Sequence, residues 1–455
     1  MGATQKRMKT SLAILAVVAI VITSPLVTVA QTSPRYDLLL KGGHVIDPAN
    51  QIDDIRDVAV LQGKIAAIEK NIAADQAAKV VDVSKLYVTP GLIDIHYHVG
   101  HGGAPLNWFT PEARAHALPL GVPADMALQS GVTTIVDAGT AGAETFLEEK
   151  EEVIDRARVR VLAFLNIVGN GMGGGLEQSV DEMDPKVCAA TITRYRDIIV
   201  GVKTAHYWTK EPWDAEHVPW AAVDRAIECA TLANVPVMYD FWPRQDRTYE
   251  DLLKKMRPGD IHTHVFAQQF PIILADGKIN PALAEARARG VIFDVGHGAG
   301  SFWFRNAAPA AKQGFIPDSM STDLHTGDYN VVSMTNVMSK FLAMGVPLGD
   351  IIRRSTVNPA AEIHRPELGT LAVGRDADIA VLELSKGHFS YIDCGVARMD
   401  GDLKLTARLT IRAGRILYDP SGLSMVEWEK ARPQYFNVLD KGESLPARAD
   451  DYPRD

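Results

Sequence analysis

Two histidines one residue apart, His96 and His98, close the run Thr89-Pro90-Gly91-Leu92-Ile93-Asp94-Ile95-His96-Tyr97-His98. In an extended strand, residues i and i+2 point to one face, so both imidazoles can reach a single cation. Neutral imidazole nitrogen is a natural donor to zinc. Such a pair is modest evidence by itself, and the Pro-Gly-Leu-Ile-Asp-Ile-His lead-in makes it specific. Lys203 ends the otherwise apolar run Ile199-Val200-Gly201-Val202-Lys203. A buried ammonium is costly and tends to give up its proton. Asp323, in Ser321-Thr322-Asp323, offers a carboxylate that can hold a metal and accept a proton from water. His262 and His264 lie two apart in Asp260-Ile261-His262-Thr263-His264 and are expected on one strand face, with His262 deeper and in a supporting role. The glycine-rich stretches His101-Gly102-Gly103 and Gly171-Met172-Gly173-Gly174-Gly175 lack a phosphate-loop pattern and read as loops over a site.

The elements that must carry these residues follow from the apolar pattern. Short buried-strand runs recur at Thr133-Thr134-Ile135-Val136-Asp137, Arg160-Val161-Leu162-Ala163-Phe164-Leu165, 199–203, Val235-Pro236-Val237-Met238, 260–264 and Val291-Ile292-Phe293-Asp294-Val295. Amphipathic segments such as Trp220 to Ala233 and Asn280 to Arg289 separate them. Strand–helix alternation over this length predicts a parallel sheet closed into a (β/α)8 barrel. The polar candidates then sit at the C-terminal ends of strands, where barrel enzymes build their sites. Residues 36–89 and 368–420 have a different texture of short strands and turns. Neither has a comfortable core alone, so a small β-sandwich made from both ends of the chain is expected. The expected organisation is 1–30 signal segment, 31–89 first half of the sandwich, 90–364 barrel, 365–420 second half, and 421–455 surface tail.

Of the 455 residues, 47% are hydrophobic and 23% charged, which supports a sizeable core and excludes a disordered chain. The net charge of −9 argues against a nucleic-acid binder, which needs a basic face. Lys6, Arg7 and Lys9 precede the apolar run Leu12 to Ile22, and Thr28-Val29-Ala30 offers small residues for cleavage. This pattern predicts a secretory signal cut after Ala30 and a periplasmic or secreted product without stable membrane association. The run is short for a membrane span, and Pro25 interrupts its end. Cys188, Cys229 and Cys394 are too few and too scattered for a disulfide framework, and read as small apolar side chains.

The segment from Thr89 to His98 resembles the first strand of the amidohydrolase superfamily, which includes dihydroorotases, hydantoinases and N-acyl-D-amino acid deacylases. Further motifs follow in the family's order: Gly201-Val202-Lys203, Gly259 to His264, Ser321-Thr322-Asp323, Asn358-Pro359-Ala360 and Gly369 to Asp378. The resemblance covers about residues 36–420. Phe293-Asp294-Val295-Gly296-His297-Gly298 resembles the seventh strand of the deacetylase-like members. It implies metal ligation by His96, His98, Lys203, His264 and Asp323, with Lys203 N6-carboxylated and bridging one or two zinc ions or other divalent ions. One position departs. The family's fifth strand ends Pro-x-Met-x-His, whereas this chain has Pro236-Val237-Met238-Tyr239-Asp240. Asp240 stands in the histidine position, and a carboxylate oxygen is an acceptable zinc ligand.

The implied reaction is hydrolysis of an amide or ester bond in an N-acyl or O-acyl small molecule by metal-activated water. Asp323 shuttles the proton and His297 positions the substrate or steadies charge on its carbonyl. His206 and Tyr207 are pocket-lining candidates. A cyclic amidase or lactonase, a dehydratase or isomerase using the same metal, and a non-catalytic ligand-binding barrel are the alternatives. A binder has no physical need for this constellation and would purify without stoichiometric metal. Homo-oligomerisation is left open by the sequence.

Overall fold

The computed structural model describes residues 1–2, 34–100, 121–172, 177, 179–204, 206–207, 218–326, 330, 333–431 and 435. The expected signal segment from residue 3 onward, His101 to Gly103 and Gly173 to Gly175 lie outside the described residues, as do 436–455. No helix among the described residues is long and apolar enough to cross a membrane.

Fifteen strands form two sheets among the described residues. The strands are β1 (Tyr36–Asp47), β2 (Ile52–Leu61), β3 (Lys64–Glu69), β4 (Ala77–Asp82), β5 (Tyr87–Pro90), β6 (Leu92–Tyr97), β7 (Val132–Gly142), β8 (Arg160–Asn166), β9 (Ile199–Lys203), β10 (Val237–Tyr239), β11 (Ile261–His262), β12 (Ile292–Phe293), β13 (Ile379–Ile392), β14 (Arg398–Arg412) and β15 (Arg415–Tyr418). β6 to β12 pair in chain order, every neighbour parallel, as the strand–helix alternation requires. The segment after β12 continues the pattern without forming a long strand. Val295 N donates to Ser319 O at 3.3 Å and Gly298 N to Thr322 O at 2.8 Å. On its other side His98 N donates to Leu324 O at 3.1 Å and Asp323 N to His96 O at 2.6 Å. Residues 319–324 therefore run between the far end of the sheet and β6.

Alternation decides what each face buries. Ile93, Ile95, Val136, Ala138, Leu162, Phe164, Val200, Met238 and Ile261 share one cluster, joined by Ala360 and Ile363 from the segment around helix Val357–Glu362. Intervening residues such as Ile135, Ala163, Val202 and Val237 pack outward against the helices. Those helices start where the sequence supplies caps. Asp184 accepts from Lys186 N and Val187 N ahead of helix Pro185–Arg194, and Asn280 accepts from Ala282 N ahead of Pro281–Ala288. In both, proline occupies the first turn, where its missing N–H costs nothing. Cys188 and Cys229 are buried free thiols on two of these helices, while Cys394 is half-buried.

The two ends of the chain combine in one eight-stranded mixed sheet, ordered β15-β14-β13-β5-β1-β2-β3, with β4 beside β1. It is a single connected sheet, because β5 pairs with both β1 and β13 and fuses the two halves. Its ends nevertheless share a core. Ile65 of β3 and Ile411 of β14 belong to one apolar cluster, and Lys64 bridges to Asp376. A Cβ on Gly414 would crowd Gly63 Cα, so the two hairpin turns meet at glycine.

Arg160 of β8 ties this sheet to the parallel one, donating to Asp378 Oδ2 at 2.5 Å and to Asp376 Oδ2 at 3.0 Å. Removing one partner of a buried pair costs about 3–5 kcal/mol. Arg160 retains some exposure, so Arg160→Met is expected to lower unfolding free energy by about 2–3 kcal/mol. Urea unfolding of the two proteins measures it, and a loss under about 0.5 kcal/mol would mean that the bridge is a surface ornament.

Candidate metal centre

His96 and His98 leave the end of β6, Lys203 ends β9, and Asp240 directly follows β10. His264 and Asp323 adopt left-handed backbone conformations, with φ of 59° and 49°. That region costs a non-glycine residue about 1–3 kcal/mol and is tolerated where neighbours over-determine the chain. Here the His264 ring is held by Gly296 O at 2.7 Å, and Asp323 N by His96 O at 2.6 Å.

The hydrogen bonds fix the histidine tautomers. Thr263 Oγ1 donates its single proton to Asp294 Oδ2 at 2.8 Å, so at His96 Nδ1, 2.7 Å away, it accepts. Thr140 Oγ1 likewise donates to Asp137 Oδ1 at 2.6 Å and accepts from His98 Nδ1 at 3.0 Å. His264 Nδ1 donates to the Gly296 carbonyl. In His96 and His98 the proton sits on Nδ1 and the Nε2 lone pair faces inward, whereas His264 Nε2 faces the Asp240 carboxylate at 3.2 Å, and Asp240 raises that imidazole against the effect of burial.

Both lone pairs point at a carboxylate. His96 Nε2 and His98 Nε2 lie 3.2 and 3.1 Å from Asp323 Oδ1. His96 Nε2 is buried and has no aligned hydrogen-bond partner. Nitrogen lone pairs facing an anion at this distance require a cation. Protonation is a poor answer at His96, because burial pushes its imidazole down to about 3 despite the nearby Asp323. The Asp323 carboxyl would be raised by burial, but the positive charge of its neighbours, His264 among them, holds it well below the ordinary carboxylate range. One ligand atom from each of His96, His98 and Asp323 falls within 4.8 Å of the others, the spacing of a metal trio.

A second group gathers around Asp240. Its Oδ2 receives His206 Nε2 at 2.7 Å, His264 Nε2 at 3.2 Å and Lys203 Nζ at 3.3 Å. Burial would raise this carboxyl, yet His206, Lys203 and His264 hold it well below its usual range. Burial opposes charge on His206, but Asp240 and Glu177 outweigh it and lift the imidazole to about 10. Glu177 is buried and bonds both His206 Nδ1 and Asn166 Nδ2. The two groups adjoin. His96 and His264 have ring centroids 4.8 Å apart, and His264 Nδ1 is 4.0 Å from Asp323 Oδ2.

The six sequence-derived ligand candidates thus converge. His297 reaches the same neighbourhood through its chain neighbour, since a Cβ on Gly298 would overlap Asp323 Oδ2. The His297 ring itself is engaged elsewhere, with Nδ1 at Gly298 O and Nε2 at Lys340 Nζ. His262 is a correction. β11 ends at His262, and the left-handed turn at His264 breaks strand alternation, so the two rings do not share a face. His262 lies among Tyr249, Phe270 and Phe293. Of the other candidates, His206 joins the site, while Tyr207 packs in the outer core with the Arg247 guanidinium 5.9 Å from its ring centroid. Met172 is buried and tied to Thr140 O, so the described part of that glycine-rich stretch is anchored. Glu177, Thr140, Thr263, Asp137 and Asp294 were not singled out from sequence, because nothing in their local patterns marks them.

With this geometry described, comparison with known proteins decides the family. The Amidohydrolase family model matches residues 87–267 and 304–417. The chain belongs to the amidohydrolase family. It is a hydrolase acting on carbon–nitrogen bonds. A deacetylase from Agrobacterium fabrum is 29% identical over 359 residues, spanning 76% of this chain and 81% of that protein. A dihydroorotase from Elusimicrobium minutum is 48% identical over only 65 residues, 14% of this chain and 15% of the relative. Among solved structures, an adenine deaminase superposes with a TM-score of 0.73 at 26% identity, covering 84% of this chain and all of that one. These amidohydrolase neighbours place the parallel sheet and its companion in a TIM-barrel-like fold with an extra sheet domain.

The threonine relays give a test. Thr263→Val removes the acceptor that holds His96 Nδ1–H. Losing such an outer partner weakens metal binding about 10- to 100-fold. Chelator competition should show that loss with the circular dichroism unchanged, and wild-type affinity in Thr263→Val would refute the relay.

Proposed function

We propose that this amidohydrolase removes the acyl group from an N-acylated small molecule, using zinc held first by His96, His98 and Asp323. The observation that carries the reading is the convergence of two imidazole lone pairs on the Asp323 carboxylate. Two imidazole nitrogens and a carboxylate would favour zinc over harder ions. When bound, the ion supplies Lewis acidity and brings the pKa of a water toward neutrality. Asp323, ionised beside His96 and His98, would take the proton of the attacking water and return it to the leaving nitrogen. The buried surroundings exclude competing water and strengthen each interaction in the site. Residues 319–324 act as an eighth strand that closes the parallel sheet into a barrel.

A second ion is assigned to Lys203, Asp240 and His264. Lys203 Nζ lies 3.3 Å from Asp240 Oδ2, which in turn lies 3.2 Å from His264 Nε2. An N6-carboxylated Lys203 would serve there as an anionic ligand shared by the two ions. The breadth of likeness to the deacetylase, against a short match to the dihydroorotase, favours an open acyl amide over a cyclic amide. Acyl esters and lactones are the competing substrates. The charged start of the chain and its apolar run support export to the periplasm or medium.

Screening the zinc-loaded protein against acylated amino acids, hydroxy-acid esters, lactones and hydantoins tests the substrate class, and turnover confined to hydantoins would reject the open-amide reading. Asp323→Ala is expected to lose at least about 10³-fold in kcat with an unchanged circular dichroism spectrum. Retained activity would reject the proton shuttle. Asp240→Ala is expected to lower zinc content from two equivalents to one, and Asp240→His to restore it. An unchanged count in Asp240→Ala, by elemental analysis, would show that Asp240 serves only as an ion-pair partner.

A further inference from the structure

Lys340, on helix Met334–Ala343, is fully buried. Its Nζ lies 2.6 Å from His297 Nε2 and 2.7 Å from Asn330 O, and 5.6 Å from the Phe302 ring centroid. An ammonium only donates, so His297 Nε2 accepts and carries no proton. The proton of the neutral ring is then on Nδ1, which donates to Gly298 O at 2.9 Å. Phe302 stacks on the same ring with centroids 4.6 Å apart and planes 12° apart. The ring is thus held on both nitrogens and one face. It has no N–H left for a substrate carbonyl and no lone pair left for a proton.

What His297 holds is the 296–298 turn. Gly296 and Gly298 both have φ of 46°, and a Cβ on either would strike the site, at His264 and Asp323 respectively. Gly296 O takes the Nδ1 proton of His264, while Gly296 N and Gly298 N bond Ser321 Oγ and Thr322 O at 2.8 Å each. The turn therefore sets the aim of the His264 ring and the seat of Asp323. We propose that Lys340 is a positioning residue of the metal centre: its ammonium locks His297 as the Nδ1–H tautomer and so fixes the turn that orients His264 and Asp323. The effect on zinc rests on the metal-dependent reading above, whereas the tautomer does not.

The test uses the full chain labelled with ¹⁵N-histidine, with His297→Gln to assign the resonance. Metal-free wild type should show His297 as a neutral ring protonated at Nδ1 alone, and Lys340→Arg should keep that signature. Lys340→Met should lose it. Lys340→Met should also release zinc to a chelator about 10- to 100-fold faster, the loss expected for an outer partner of a ligand. Its kcat should fall more than its KM changes. A wild-type His297 protonated at Nε2 overturns the proposal, and this result is available even where Lys340→Met does not fold. A Lys340→Met protein that melts at lower temperature but keeps the tautomer and the zinc release rate also overturns it. Failure of wild type to bind zinc would instead defeat the metal-dependent function and leave the tautomer result standing.

Discussion

Two imidazole lone pairs aimed at one buried carboxylate form an arrangement that is repulsive without a cation. His96 and His98 are held in it by hydroxyls that have already spent their protons on Asp294 and Asp137. A protein can maintain such a contact only if binding a cation returns more than the contact costs. The surrounding fold is consistent with that demand. The parallel strands end at the site, and two of its residues sit in left-handed backbone held by carbonyl and amide partners from neighbouring segments. Asp323 is the hub, since its backbone bonds the His96 carbonyl while its side chain faces both histidines.

The Asp240 position shows how a local substitution is absorbed. Replacing an imidazole by a carboxylate adds a negative charge to a buried pocket, which is costly unless paired. Three nitrogens within 3.3 Å meet that charge, and one of them, His206, follows β9 by three residues. Glu177 then balances His206 from the other side. Asp240, His206 and Glu177 thus form a small charge network in which each anion faces the shared imidazole.

The companion sheet affects the site indirectly. β5 belongs to it and runs into β6 after a single residue, Gly91, whose N bonds Asp378 O. A Cβ at Gly91 would overlap Thr133, so the junction is tight as well as short. The strand that delivers both histidines is therefore anchored at its base by the sheet that the two chain ends build together.

The sequence by itself determined the chemistry-bearing residues, the strand–helix alternation and the pairing of the chain's two ends. These are written in local spacing: i and i+2 histidines, short apolar runs and amphipathic segments between them. His96, His98, Lys203, Asp240, His264 and Asp323 are expected in one centre because their motifs resemble those of the amidohydrolase superfamily in type and order. Tertiary structure alone decided the rest. His262 and His264 look equivalent in spacing, yet a left-handed turn sends one to an aromatic cluster and the other to the metal side. Thr140, Thr263, Glu177 and Lys340 are ordinary residues in sequence. Their roles arise from hydrogen bonds between distant segments, such as those spanning 42 residues from Thr140 to His98, 43 from Lys340 to His297 and 167 from Thr263 to His96. Strand periodicity reports which face a residue takes, but the proton on a histidine ring is set by whatever the fold brings against its other nitrogen.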